Sequence, residues 1–342
     1  MYSFLHTEQT NDKASEFETK SLLYLFSMRD DSSEIDTFII DCFNDVTGAN
    51  NNCDKLWDVQ SKGKKSLRPS TIGESLITLF ENCISQINFD YYILFFPKLK
   101  DIYFIDNDIS VFKINNFRKQ YISKITEGLQ KEYERRNNKC INENAMKKFL
   151  NEVNFVVDTN TKSKYVKNIM DLKKYFGKNE EFFECIFNEI RDRQSILKNN
   201  SIHQQKIDKV SDVLKFNKHL KRNDIEMLIV DRIIGLDIFN PLCLSVDFLQ
   251  IIKDYGIEEQ RNIIQECNSE ICLMLFNNND KEKFWSCFEK IYLLLKNNTD
   301  YTIDEIFEKI ENETIIKKKV LSEKSAKYFI SLIKEGIKHE NT

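Results

Sequence analysis

The sequence predicts an α/β core with a mixed central sheet flanked by helices, followed by a mostly α-helical C-terminal region. Three observations predict it. Residues 36–43, 55–62 and 91–96 are dense in β-branched and aromatic side chains, the composition of strands. The segments around them place apolar residues at helical spacing. From about residue 163 onward that helical spacing runs on with little interruption.

The elements follow in order. Residues 13–28 read as an amphipathic helix, with Phe17, Leu22, Leu25 and Phe26 mostly on one face. Residues 36–43 are a strand. Residues 44–54, with Gly48 and a run of Asn, read as a hairpin-like loop. Residues 55–62 are the second strand, and its alternation puts Leu56, Asp58, Gln60 and Lys62 on one side. After a basic loop comes a helix over 71–86. Residues 91–96 then form a continuous apolar strand, as at the centre of a covered sheet. Helices are expected over 117–137 and 143–153, with one more strand at 154–158. Further helices are expected at 163–175, 179–198, 203–219, 223–235, 246–265, 268–276, 280–296, 303–311 and 323–338.

At 342 residues the chain has room for two domains. We divide it into residues 1–235, with a core at about 13–160, and a helical region 236–342, breaking near Gly235 and Pro241. Hydrophobic residues make up 41% and include 26 Phe, which a globally disordered chain would lack. With 8 Gly and 3 Pro there are few punctuators, which favours long helices. The nine cysteines include no CxxC pair and the four His are scattered, which argues against a zinc site and a disulfide framework. The net charge of −4 neither supports nor excludes nucleic-acid binding, which needs only a local basic surface. Residues 1–12 lack the pattern of a signal peptide, and the longest apolar run, Tyr91–Pro97, is too short to span a bilayer. A soluble, cytoplasmic protein is the expectation.

One constellation carries chemistry. Phosphodiester hydrolysis needs a divalent cation held by hard oxygen ligands and a group that orients water. An acid at the end of one strand, with an acid-x-Lys on its partner, supplies both, because period-2 alternation puts the ligand and the lysine on one face. Here Asp45 ends the first strand in Phe43-Asn-Asp-Val46, and the second strand carries Asp58-Val-Gln-Ser-Lys62. Either Gln60 supplies the second ligand through its amide oxygen, or Asp58 does with Lys62 one pleat further on. Periodicity leaves both readings open.

These residues resemble a family. Phe43-Asn-Asp-Val46 and Val59-Gln-Ser-Lys-Gly63 look like the signature of a PD-(D/E)XK-type double-stranded-DNA endonuclease domain. That domain is found beside CD-NTases in bacterial antiphage defence and in Lamassu-type and HerA-associated systems. The resemblance covers about residues 13–100, more weakly to 160. It implies a restriction-endonuclease-like fold and Mg²⁺- (or Mn²⁺-) dependent cleavage of duplex DNA. Asp45 and Gln60 would face the metal, Lys62 the scissile phosphate, and Glu18 of Phe17-Glu18 would be an accessory acid. It also implies an ATPase partner of the SMC or HerA kind and a homo-oligomeric active state.

Lys64, Lys65 and Arg68 beside the motif are candidates for DNA backbone contacts, against the plain reading of a solvated loop. In the C-terminal third, apolar faces recur at Phe248, Ile251, Ile252 and Tyr255, at Phe284, Phe288, Ile291 and Leu295, and at Tyr328, Phe329, Leu332 and Ile333. They read as another core layer or as a docking platform. Two functions are therefore carried forward: a nuclease effector, and a catalytically silent scaffold that keeps a nuclease-like core.

Overall fold

The computed structural model describes residues 2–4, 16–64, 66–170, 178–198, 202, 205–235, 245–277, 279–298, 300–311 and 321–340. The chain divides into two compact units. The first comprises Met1–Ile169 with Phe183–Arg222, and the second Met170–Phe182 with Asn223–Thr342.

The first unit is α/β. It holds β1 (Tyr2–Ser3), α1 (Glu16–Ser27), β2 (Thr37–Ile40), β3 (Val46–Ala49), β4 (Leu56–Ser61), α2 (Pro69–Ser75), α3 (Ile77–Cys83) and β5 (Tyr91–Pro97). It continues with β6 (Val111–Phe112), α4 (Lys119–Asn137), α5 (Glu143–Glu152), β7 (Asn154–Asp158), α6 (Lys162–Ile169), most of α7 (Glu180–Lys198), β8 (Lys206–Ile207) and β9 (His219–Lys221). Seven strands form one open mixed sheet in the order β6-β7-β5-β4-β3-β2-β9. β4, β5 and β7 run parallel, and β3 runs against both β2 and β4.

The central strand β5 shows why the sheet is covered on both faces. Ile93, Leu94, Phe95 and Phe96 are all fully buried. Phe95 meets Phe17 and Tyr24 of α1 on one face, at ring separations of 6.1 and 5.7 Å. Tyr92 meets Phe149 of α5 on the other, at 5.6 Å. Helices α2 and α4 cross so closely that a Cβ at Gly73 would run into the Ile125 carbonyl, and one at Gly128 into that of Ser70.

The structure corrects several expectations. Residues 44–54 are not one loop, because Val46–Ala49 is the middle strand of a meander. Four short residues with an interior glycine give little strand signal, and cross-strand pairing supplies the rest. Asp45 therefore does not end the first strand but leads into the second. The helix expected at 71–86 is two helices meeting at Leu76, and the one at 246–265 is interrupted before Ile257. The helix expected at 203–219 is replaced, where described, by β8, a 3₁₀ turn at Val210–Phe216 and β9. β9 joins the main sheet by pairing with Thr37–Ile39, a partner too distant in sequence to read locally. Residues 13–15, 171–175, 203–204 and the proposed break at Pro241 lie outside the described residues.

The second unit is helical: most of α8 (Arg222–Ile234), then α9 (Val246–Ile251), α10 (Ile257–Phe276), α11 (Lys281–Asn297), α12 (Ile303–Ile310) and α13 (Glu323–Glu340). Helices α9 to α12 each pack on α13. Phe284 and Phe288 meet Phe329, and Phe248 meets Tyr328 at 4.9 Å. Of the apolar faces read from sequence, Phe248, Ile252, Phe284, Phe288, Ile291, Leu295, Tyr328, Phe329, Leu332 and Ile333 are buried. Among the described residues, no helix is long and apolar enough to cross a membrane.

Candidate functional site

The antiparallel meander decides where the candidate residues meet. β3 pairs with β4 in the register Val46↔Val59, so the residue before β3 lies beside the end of β4. Asp45 therefore reaches Gln60 and Ser61. Its Oδ2 accepts from Gln60 Nε2 at 2.7 Å, from the Ser61 backbone N–H at 2.7 Å and from Ser61 Oγ at 2.8 Å. Lys62 follows directly, its backbone N–H bonded to the Phe95 carbonyl of β5. β4, β5 and β7 all end at this edge, and the carboxyl ends of parallel strands are where open α/β sheets place their ligands.

The five-residue turn between β2 and β3 is tight. Asp41 takes a left-handed backbone at φ 50°, and its N–H bonds the Asp45 carbonyl at 3.2 Å. Burial pushes the Asp45 carboxyl up from its ordinary value, while the Lys62 charge, the Ser61 donors and the Lys198 charge oppose the shift. Asp41 is raised for the same first reason. Lys218 and Lys198 pull it down, and Asp45 adds like-charge repulsion.

Glu18, on α1, points its carboxylate at Lys198, the last residue of α7, with Oε2 2.7 Å from Nζ. The edge thus gathers Glu18, Asp41 and Asp45 with Lys62, Lys198 and Lys218. Asp41, Ser61, Lys198 and Lys218 were not singled out from sequence. Ser61 lies inside the Gln-x-Lys triplet and Asp41 four residues before Asp45, so both were within reach of a closer reading. Lys198 and Lys218 carry no local signal, since only the fold brings them in.

Asp58 sits elsewhere. It is fully buried in mid-strand, accepting from Asn82 Nδ2 at 2.7 Å and from Thr47 Oγ1 at 3.4 Å. Burial pushes its pKa up to about 7, with the Asn82 bond opposing. Asn82 is itself held, its amide also donating to the Phe43 carbonyl and accepting from Tyr2. Of the two candidate second-strand ligands, Gln60 is the one in contact with Asp45. Lys64 and Arg68 are exposed on the following loop, and Lys65 lies outside the described residues.

The donor set suits a hard cation. An amide and a hydroxyl lie within 2.8 Å of one carboxylate oxygen. A half-turn of the Gln60 amide exchanges Nε2 for Oε1 beside Asp45. Mg²⁺ is commonly held by one or two carboxylates, with waters and substrate phosphates completing its shell. Among the described residues, no three His, Cys, Asp or Glu side chains converge as a metal-binding group. A cation here would therefore rest on Asp45 and neutral oxygens, joined by a second carboxylate only if Glu18 leaves Lys198. No protein-family model, curated protein or solved structure matches this chain.

Proposed function

We propose that the chain is a metal-dependent endonuclease cutting double-stranded DNA, with a restriction-endonuclease-like core of the PD-(D/E)XK kind. The observation that carries it is the meeting of Asp45, Gln60 and Ser61 at the strand ends, with Lys62 next along the chain and its charge acting on Asp45. Mg²⁺ or Mn²⁺ bound there would supply Lewis-acid polarisation and an acidified water. Asp45 and Gln60 would hold it through oxygen. Lys62 would orient the attacking water and balance the charge growing on the phosphate. Lys64 and Arg68 would steady the DNA backbone from the adjoining loop.

The wider setting rests on the sequence resemblance: an effector subunit of a bacterial antiphage defence complex, working with an ATPase of the SMC or HerA kind and active as an oligomer. A second reading, a silent scaffold with a nuclease-like core, is favoured by one observation. Asp45 Oδ2 is already saturated by three donors.

Plasmid cleavage separates the two. The purified chain, with and without Mg²⁺, is compared with Lys62→Ala, alone and with its genomic neighbours. Metal-dependent linearisation that Lys62→Ala reduces by at least about a hundredfold supports the nuclease. Inertness under every condition supports the scaffold.

A further inference from the structure

The charge cluster holds a residue whose role the nuclease reading leaves open. Lys198 Nζ is 2.7 Å from Glu18 Oε2, and the two side chains are only 5% and 11% exposed. Its charge also acts on Asp41 and Asp45. It is held from below as well, because Lys218 Nζ donates to the Lys198 carbonyl at 3.3 Å while lying 3.5 Å from Asp41. Lys198 closes α7, where the helix dipole favours a cation.

Burying an ammonium is costly unless close carboxylates repay it. Three carboxylates at one edge are likewise costly unless cations stand among them. Each set makes the other tolerable, and a divalent cation entering among the acids would compete with the lysine for them.

We propose that Lys198 is the internal counter-ion of this site, holding Glu18 while no divalent cation is bound and yielding it to the cation when one is. The proposal rests on the metal site at Asp45 and Gln60 described above. On binding, Glu18 exchanges an ammonium partner for a metal one and the Lys198 amine is released. The lysine thereby weakens cation binding below what the ligand set would give without it.

Two measurements test this. The first is Mn²⁺ titration followed by electron paramagnetic resonance on wild type, Lys198→Met and the double variant Glu18→Gln/Lys198→Met. Lys198→Met should bind Mn²⁺ about tenfold more tightly, the order expected for removing a nearby unit charge. The double variant should return to near the wild-type affinity, since the released carboxylate is gone.

The second uses wild type, so it stands even if Lys198→Met fails to fold. Acetic anhydride labelling of Lys198, read by mass spectrometry, should rise severalfold when Mg²⁺ is added. Unchanged or weaker Mn²⁺ affinity in folded Lys198→Met overturns the counter-ion role, as does Mg²⁺-insensitive labelling in a wild type that binds Mn²⁺. Absence of Mn²⁺ binding in wild type and both variants overturns the metal site itself, and this proposal with it.

Discussion

The edge of the sheet and its interior each hold a carboxyl that burial raises, and the protein surrounds the two with different partners. Asp45, at the edge, is partly exposed, accepts three hydrogen bonds on one oxygen and has Lys62 and Lys198 acting on it. Asp58, thirteen residues on in mid-strand, is fully buried with the Asn82 amide and the Thr47 hydroxyl for company. Burial raises both carboxyls, but at the edge two lysine charges and the Ser61 donors work against it, whereas within the strand only neutral donors do. The same residue type, just before one strand and in the middle of its neighbour, thus stands among charged partners in one place and neutral ones in the other.

The largest expected difference lies in activity. Asp45→Asn should lower Mg²⁺-dependent plasmid cleavage by about 10³-fold or more, the scale for losing a group that organises transition-state charge. Asp58→Asn keeps shape and bonding capacity and should stay within about threefold of wild type, because its carboxyl is sealed away from solvent. Equal loss in both variants would erase the distinction.

Next in size is a stability effect expected at Asp58. Its folded pKa of about 7 stands above the ordinary 3.8, so the folded protein binds this proton more tightly than the unfolded chain does. The stability this contributes is whole below about pH 4, is lost as pH rises to about 7 and changes no further above that. Chemical denaturation at pH 5 and pH 8 should show wild type losing more stability than Asp58→Asn. At pH 8 the variant should be the more stable by about 1–3 kcal/mol. A variant less stable than wild type at pH 8 would mean that Asp58 is ionised and well paired, which breaks the comparison from the other side.

The smallest effect concerns the loop beyond β4. Lys64→Ala with Arg68→Ala should lower the slope of log affinity for duplex DNA against log salt by about one to two, roughly one for each phosphate no longer neutralised. An unchanged slope would return these exposed side chains to the status of a solvated loop and confine the site to the strand ends.

The expectations drawn from sequence succeeded where the signal is local. Tyr91–Phe96 reads as a doubly buried strand because six successive apolar residues leave no polar face, and β5 is buried on both sides. The 3.6-residue stripes of α11, α12 and α13 read correctly because each helix needs only its own period to declare itself. The meander did not read. Val46-Thr-Gly-Ala49 lacks strand composition, and its four residues are ordered by pairing with β2 on one side and β4 on the other. β9 was lost among helices for the same reason, since its partner lies some 180 residues away.

The sequence by itself determined the composition of the motif: an acid before Val46, a Gln-Ser-Lys at a strand end and a helix carrying Glu18 ahead of both. It also left Gln60 and Asp58 as equal rivals, because side-chain period cannot tell the end of a strand from its middle. Only the tertiary structure separated them, by running β3 antiparallel so that Asp45 meets the end of β4 and not its centre. Only the tertiary structure brought Lys198 and Lys218 to the acids. Charge pairing acts through space, and no periodicity along the chain records which distant lysine will stand beside a given carboxylate.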